Sequence, residues 1–357
     1  MTRLNVLITG GAGFIGSNTA KRFLERGENV WILDNLSRHE ALSANIAWLQ
    51  GLDGRLASIH ADVRDYDALR RLFSETRFDV VIHLAAQTAV TTSVTDPRLD
   101  FEINALGTFN LLEAVRESGT SPVFLYSSTN KVYGGLEDVS VVERNGRYEF
   151  EHLRDGVAED RPLDFHSPYG CSKGAADQYV IDYSRIYGLR TVSLRQSCIY
   201  GTRQFGMEDQ GWVAWFTIAA VLGRPIVIYG DGKQVRDILY VDDLVDLFEA
   251  AIANIDSCAG QAFNVGGGPR NVISLLELVG LLEQYGGRPL SYSFDDWRPG
   301  DQRAFVCDIS KADAVLGWRP RVGPAAGIRT LYDWVVANRA LFADYAGSLG
   351  QPALGRR

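Results

Sequence analysis

From Asn5 to Gly201 the chain repeats one alternation, a short and almost continuously apolar run followed by a stretch with helical spacing. The runs are Asn5–Thr9, Val30–Leu33, Leu56–His60, Val80–Leu84, Val123–Tyr126 and Thr191–Leu194. Parallel strands need a crossover between neighbours, and a helix supplies it, so this alternation predicts a parallel sheet. Because the runs are apolar throughout, both faces of the sheet must be covered by helices. One crossover is explicit: Asp65 reads as an N-cap, and Leu69, Leu72 and Phe73 fall on one stripe of the helix that follows. The expected fold class is α/β, a doubly wound parallel sheet with a smaller α/β lobe.

After Gly201 the regularity breaks. Val241–Ile255 and Val272–Gln284 read as helices, and Ile226–Tyr229 and Ala262–Val265 as strands. The reading divides the chain into a sheet domain over 1–200, a lobe over 201–342 and a Gly- and Ala-rich tail over 343–357 that is expected to fray. No low-complexity linker separates the halves, so they should pack around a shared cleft. A charged, weakly periodic insertion over 134–165 interrupts the pattern, and an excursion of that length in a compact domain reads as a loop near the functional site.

Several function classes fall away on composition. The chain has 357 residues and a formal net charge of −8, which excludes a general nucleic-acid binder because that would need a basic face. The longest strongly apolar stretch, Gly211–Leu222, is too short to span a bilayer. Met1–Asn5 runs straight into a strand with no room for a signal sequence, so a cytoplasmic protein is expected. Cys171, Cys198, Cys258 and Cys307 show no metal-ligand spacing and read as reduced thiols, and the five histidines are scattered, so no metal site is expected.

The first run opens directly into Thr9-Gly10-Gly11-Ala12-Gly13-Phe14-Ile15-Gly16 and then a helical stretch over Ser17–Arg26. Glycines there let the backbone turn tightly and let a pyrophosphate reach the helix N-terminus, whose N–H groups and dipole favour an anion. The second strand ends at Asp34, where a carboxylate can accept from adenosine ribose hydroxyls and would repel a 2′-phosphate. Together these point to a Rossmann-type NAD site, against the alternative of a tight glycine turn without ligand. Arg38 keeps NADP open as a second choice.

The GxxGxxG spacing, Asp62-Val63 after the third strand, Leu84-Ala85-Ala86-Gln87 after the fourth and Tyr169-Gly-Cys-Ser-Lys173 resemble the extended short-chain dehydrogenase/reductase family over nearly the whole chain. The resemblance implies that Gly10, Gly13, Phe14, Ile15, Gly16, Asp34 and Asn35 hold NAD, that Asp62 and Val63 touch its adenine and that Leu84, Ala85 and Ala86 line the dinucleotide. It also implies that Asn104 helps to fix the cofactor side. On a helix, Tyr169 and Lys173 share one face, about 6 Å apart along the axis. A tyrosine titrates near ~10 in water, and a neighbouring ammonium and a positive nicotinamide lower that value. Tyr169 could then remove a proton from a sugar hydroxyl while hydride goes to NAD, and the resemblance implies that Lys173 also holds the nicotinamide ribose. The plainer reading of Tyr169 is a core aromatic on an amphipathic helix.

Aligned on Val132-Tyr133-Gly134, Thr129 takes the family's catalytic Ser/Thr position. In the family's nucleotide-sugar 4,6-dehydratases the next two residues are an Asp and a Glu that eliminate water. Here they are Asn130 and Lys131, which argues against dehydration; for both, the reading goes no further than substrate contact, with an exposed turn as the alternative. Gln87, Arg203, Gln204, Arg236 and Arg298 complete the candidate substrate side. Arg236 and Arg298 suit a diphosphate because a guanidinium matches its oxygens in a bidentate manner, although either could be a surface ion pair. Cys198 stands where many relatives carry Asn, a departure that affects one diphosphate contact.

Within the family, Ser127–Gly134, Leu163–Asp177 and Arg203–Trp212 look like the CDP-paratose 2-epimerase group. That resemblance implies a nucleotide-diphosphate-sugar substrate, oxidation at C2, rotation of the ketone and return of hydride to the other face, with NAD regenerated. C4 epimerisation of a UDP-sugar is the runner-up, and a non-catalytic NAD-binding scaffold the reading from another class. Helices around Phe101–Glu117 and Ser167–Tyr187 build the dimer in relatives, which implies a homodimer or homotetramer. His166 and Cys171 carry no reading beyond their nearness to Tyr169, His166 being best taken as flanking the helix.

Overall fold

The computed structural model describes residues 3–37, 41–298 and 301–342, so Arg38 and the expected tail over 343–357 lie outside the described residues. The first five apolar runs form β1 (Asn5–Thr9), β2 (Asn29–Asp34), β3 (Arg55–His60), β4 (Val80–His83) and β5 (Val123–Thr129). A hairpin follows, β6 (Val141–Arg144) and β7 (Arg147–Phe150), and then the sixth run as β8 (Thr191–Gln196). Next come β9 (Cys198–Tyr200), β10 (Ile226–Tyr229), β11 (Val235–Tyr240) and β12 (Gln261–Val265). The last are β13 (Val272–Ser274), β14 (Tyr292–Asp295) and β15 (Ala304–Phe305).

The central sheet has seven strands in the order β12-β8-β5-β4-β1-β2-β3, and every adjacent pair is parallel. From β1 the chain winds outward to β2 and β3, then returns to the other side of β1 as β4. That reversal opens a crevice at the carboxyl ends of β1 and β4, the place where such sheets take ligands. Both faces of the central strands are buried, as their unbroken apolar runs require, whereas the edge strand β3 has no fully buried residue. Val6, Ile8, Ile32, Val80 and Ile82 pack on one side with Ala20, Phe23 and Phe248. Leu7, Leu33, Val81, Phe124 and Tyr126 pack on the other with Leu69, Phe73, Leu111 and Val180.

The seventh strand, β12, comes from beyond the boundary drawn at residue 200 and pairs with β8 from Gln261↔Val192 to Val265↔Gln196. The sheet domain is therefore completed by the second half of the chain. The lobe is built on β11, which pairs with β9, β13 and β15.

Three local readings shift. The helix after the glycine turn starts at Phe14, not Ser17. Val272–Gln284 is not one helix, because Val272 and Ile273 pair with β11 and Ser274 with Glu277 forms a capping box that starts the helix at Leu275. The helix expected across Phe101–Glu117 is interrupted by a π-turn over Glu102–Leu106, a feature that often marks a functional site. The other landmarks stand where the pattern puts them: Asp65 caps Tyr66–Glu75, and Ser167–Tyr187 is one helix.

The 134–165 insertion is not a plain loop. It carries the β6–β7 hairpin, and Leu136 and Val157 join Val132, Tyr133, Phe305 and Cys307 in a small core of their own. Its ends thereby clasp the lobe to the strand that bears Thr129.

Candidate active site

At the end of β1 the backbone turns at Gly10, whose φ is +67° and whose N–H donates to Leu33 O (2.8 Å). A Cβ on Gly10 would stand 2.8 Å from the Ala85 nitrogen, and one on Gly16 would collide with the Gly10 carbonyl. The helix Phe14–Glu25 opens at Gly13 with no side-chain cap and no acidic residue in its first turn. Its first N–H groups and positive dipole end are therefore available to an anion. Asp34 is fastened to this loop: Oδ2 accepts from the Ala12 N–H (3.1 Å) and Oδ1 from the Leu36 N–H (2.9 Å). Asn35 donates to Asp62 (2.8 Å), and Arg64 donates to the same carboxylate. The Arg64 hydrogen bond is the main reason that Asp62 is held down to about 2.

The loop after β4 is fixed from beneath. Thr108 donates its hydroxyl to Asn104 O (2.6 Å) and must accept from the His83 Nε2–H (3.0 Å), leaving Nδ1 to accept from Thr9 (2.7 Å). His83 is thus assigned as the neutral Nε2–H tautomer, and burial with the Lys173 charge pulls its pKa down to about 3. Asn104, inside the π-turn and buried, accepts from Gln87 N (2.9 Å) and donates to Gln87 O (3.0 Å). It does not line the cavity, and any support it gives the cofactor side would act through the Gln87 backbone. Gln87 does line it, but its amide is folded back: Nε2 reaches Ala89 O and Asp100 (both 2.8 Å), and Oε1 takes the Ala89 N–H.

Thr129, Tyr169 and Lys173 meet in one cavity of about 630 Å³. Thr129 ends β5, while Tyr169 and Lys173 lie in the first turns of Ser167–Tyr187. Lys173 is buried; its Nζ donates to Ser127 O (2.5 Å) and lies 4.3 Å over the Tyr126 ring. Burial draws its pKa down to about 7 against the pull of Asp177 and Asp100. One wall is the cofactor cradle, with Gly10, Gly13, Phe14, Ile15, Gly16, Asp34, Asn35, Asp62, Val63, Leu84, Ala85 and Ala86 all on it. The facing wall joins both halves of the chain: Gln196–Ile199 from β8 and β9, then Gln204, Met207, Gln210, Gly211 and Trp212. Trp212 donates its indole N–H to Cys198 Sγ (3.1 Å), and among the described residues the wall carries no charged side chain, its other polar groups being the amides of Gln196, Gln204 and Gln210 and the Ser197 hydroxyl.

The remaining candidates sit elsewhere. Arg203 is in the left-handed region (φ +66°) and its guanidinium stacks 4.1 Å over Trp48, outside the cavity lining. Arg236 pairs with Asp301 (2.6 Å), and Arg298 stacks on Tyr229 (4.1 Å) and pairs with Asp209 (3.1 Å). Asn130 flanks Thr129, whose hydroxyl points to its Oδ1 at 3.4 Å, and is likewise not part of the lining. Sequence reasoning missed Ser127, Gln196, Ser197, Met207, Gln210 and Trp212 as lining residues; a strand-end position was the available signal for the first three. His166 pairs with Asp164 (3.0 Å) beside Glu137 at the surface of the insertion.

Residues 6–266 match the NAD dependent epimerase/dehydratase family. The chain belongs to that family. It is 47% identical over 336 residues to a CDP-paratose 2-epimerase from Salmonella typhi, covering 93% of this chain and 99% of the relative. A UDP-glucose 4-epimerase from Thermotoga maritima, solved with UDP-glucose, superposes with a TM-score of 0.82 at 31% identity, covering 94% of this chain and 100% of that one. A Thermus thermophilus UDP-glucose 4-epimerase in complex with NAD gives 0.77 at 35% identity, covering 93% and 98%.

The cradle fits the dinucleotide that this NAD-dependent family uses: Gly16 packs where any Cβ would collide with Gly10, the helix end is uncapped, and the Asp34 carboxylate, fastened to the glycine loop, would face the adenosine ribose. When bound, NAD supplies a reversible hydride acceptor. The chain's own groups at this place are the Tyr169 hydroxyl, which could serve as a proton site, the Lys173 amine one helical turn away and the Thr129 hydroxyl, which could hold a substrate oxygen. Among the described residues the facing wall adds no carboxylate, amine or imidazole to the cavity.

Proposed function

We propose that the protein inverts C2 of a CDP-linked deoxyhexose by transient oxidation of the C2 hydroxyl to a ketone, with NAD tightly bound and no net redox change. One observation carries the reading: past the cofactor cradle, the described lining residues offer Tyr169, Lys173 and Thr129 and no carboxylate. Water elimination needs an acid and a base on the sugar, whereas oxidation and reversal need only a shuttle for the hydroxyl proton. Tyr169 takes that proton with Lys173 favouring its phenolate, Thr129 steadies the oxygen, and the ketone turns over before Tyr169 returns the proton. Oxidation at C2 and the cytidine base rest on likeness to the Salmonella typhi CDP-paratose 2-epimerase. Likeness to the Thermotoga maritima UDP-glucose 4-epimerase supports a second reading, C4 inversion of a UDP-sugar.

The functional unit proposed is a cytoplasmic homodimer or homotetramer. Among the described residues no helix is long and apolar enough to cross a membrane. The paired helices expose Phe101, Phe109, Tyr179, Ile186 and Tyr187, an apolar stripe suited to a second copy. Incubation with CDP-, UDP-, GDP- and dTDP-hexoses in deuterated buffer, followed by proton NMR, tests the reaction. Inversion at C2 of a CDP-sugar without added NAD or solvent deuterium is expected; inversion confined to C4 of a UDP-sugar would overturn the C2 assignment.

A further inference from the structure

Lys131 brings a positive charge to the site that none of the chemistry above uses. It follows Thr129 by two residues, in the turn Asn130–Tyr133, and is half-buried. Its backbone N–H donates to Thr129 Oγ1 (3.2 Å), but its Nζ makes no hydrogen bond or ion pair with a described residue. Its charged neighbours are Arg236 and Asp301, one repelling and one attracting it. Arg236 spends Nη2 on Asp301 Oδ1 (2.6 Å) and Nη1 on Val235 O (2.8 Å).

Lys131 and Arg236 are not themselves lining residues of the cavity, and their link to it runs through their neighbours. Gln302 donates to Gly134 O (2.6 Å) and Val235 N donates to Arg303 O (2.9 Å), which ties the segments of Lys131, Asp301 and Arg236 together. On β11, Arg236 shares a face with Ile238, which is in register with Cys198, and the Arg236 charge reaches the Cys198 thiol. Thr129 and Cys198 both line the cavity, so each of the two cations neighbours a lining residue.

Two positive charges share the single carboxylate of Asp301. Burial, with Arg236 adding to it, draws the Lys131 pKa down to about 8. An ammonium withdrawn from water without a hydrogen-bond partner is costly, and an anion placed between the two cations removes that cost. Building on the nucleotide-sugar reading, we propose that Lys131 is a substrate-binding residue that grips, with Arg236, the sugar-side phosphate of the nucleoside diphosphate. The geometry also bears on the carbon oxidised. C2 is bonded to C1, which carries that phosphate, whereas C4 lies across the ring. A phosphate gripped close to Thr129 would favour C2 over C4 as the carbon whose hydroxyl meets Thr129 and Tyr169.

Calorimetric titration of the NAD-loaded protein with CDP and with CMP tests this, because the two ligands differ by that phosphate. In Lys131→Met, CDP should bind about tenfold more weakly, the loss of a charge-assisted hydrogen bond, while CMP changes little and NAD content is unchanged. Lys131→Gln repeats the measurement if the methionine variant folds poorly. Unchanged CDP affinity, or equal weakening of CDP and CMP, overturns the role of Lys131 and leaves the nucleotide-sugar reading standing. Wild-type protein that binds neither CDP nor UDP overturns that reading and the proposal with it.

Discussion

The Lys173 ammonium lies 4.3 Å over the ring of Tyr126 while its Nζ donates to the next carbonyl, Ser127 O (2.5 Å). The charge proposed to tune Tyr169 is thus held in a buried slot formed by residues of β5, one helical turn from that tyrosine. Burial lowers the Lys173 pKa to about 7, against about 10.4 in an unfolded chain. Between those values the unfolded chain binds a proton that the folded one does not, so stability rises with pH from about 7 towards about 10 and the penalty is complete below about 7. Lys173→Met should flatten that slope. Thermal melts of cofactor-free wild type and variant across this range measure the difference, and a wild-type slope retained in the variant would contradict it.

The same substitution separates stability from activity. Methionine fills the slot without a charge to desolvate, so the variant should melt at or above the wild-type temperature at pH 7. Its turnover should fall at least about 100-fold, because Tyr169 loses the group that favours its phenolate. Tyr169→Phe should keep NAD and lose about 1000-fold in rate, within the range for removal of a general acid–base. Turnover near wild type in either variant would remove these residues from the chemistry.

Asp34 fastens the glycine loop, and the proposed role of its carboxylate is to govern cofactor choice by standing where a 2′-phosphate would lie. In Asp34→Ala the purified protein should retain less NAD, and affinity for NADP should rise relative to NAD. Fluorescence titration with both dinucleotides checks this, and an unchanged NAD-to-NADP ratio would show that Asp34 does not face the ribose.

How much of this was legible in the chain follows from which interactions are local. Apolar runs and crossover helices fix each other over a few residues, so the six strands, the Asp65 cap and the Ser167–Tyr187 helix could be read directly. The glycine turn and Asp34 were readable because a phosphate site needs a specific backbone in a specific place. β12 was placed outside the sheet because its partner, β8, is separated from it by the whole first part of the lobe. Arg203 was read as a substrate residue from its motif, yet Trp48 captures its guanidinium, a contact between residues far apart in sequence. Lys131 drew little attention because its significance depends on Arg236 and Asp301, which only the folded lobe brings beside it.

A buried ion pair holds the catalytic helix to the sheet. Asp177, one turn beyond Lys173, is paired with Arg195 of β8 (2.9 Å), and Arg195 also donates to the Tyr133 hydroxyl (3.0 Å). Arg195→Met leaves the Asp177 carboxylate in the interior with its cation gone, which should cost about 3–5 kcal/mol of stability. The double change Arg195→Met with Asp177→Leu should recover most of that loss, since no charge is then stranded. Chemical denaturation of the single and double variants measures both numbers, and additive losses would show that the pair is not coupled.

The exposed stripe on the paired helices makes the last test. Phe109 and Tyr179 meet edge to face at 5.7 Å across the two helices, and Phe101, Ile186 and Tyr187 extend the same apolar surface into solvent. A second copy docked there by two-fold symmetry would bury the stripe against itself. A carboxylate introduced at its centre by Tyr179→Glu would then meet its own copy across the axis. Light scattering should give a dimeric or larger mass for the wild type and a smaller one for the variant. Because Tyr179 points away from the cavity lined by Tyr169 and Lys173, NAD content should not change. A wild-type monomer, or a variant of undiminished mass, would direct the search for the subunit contact to another face.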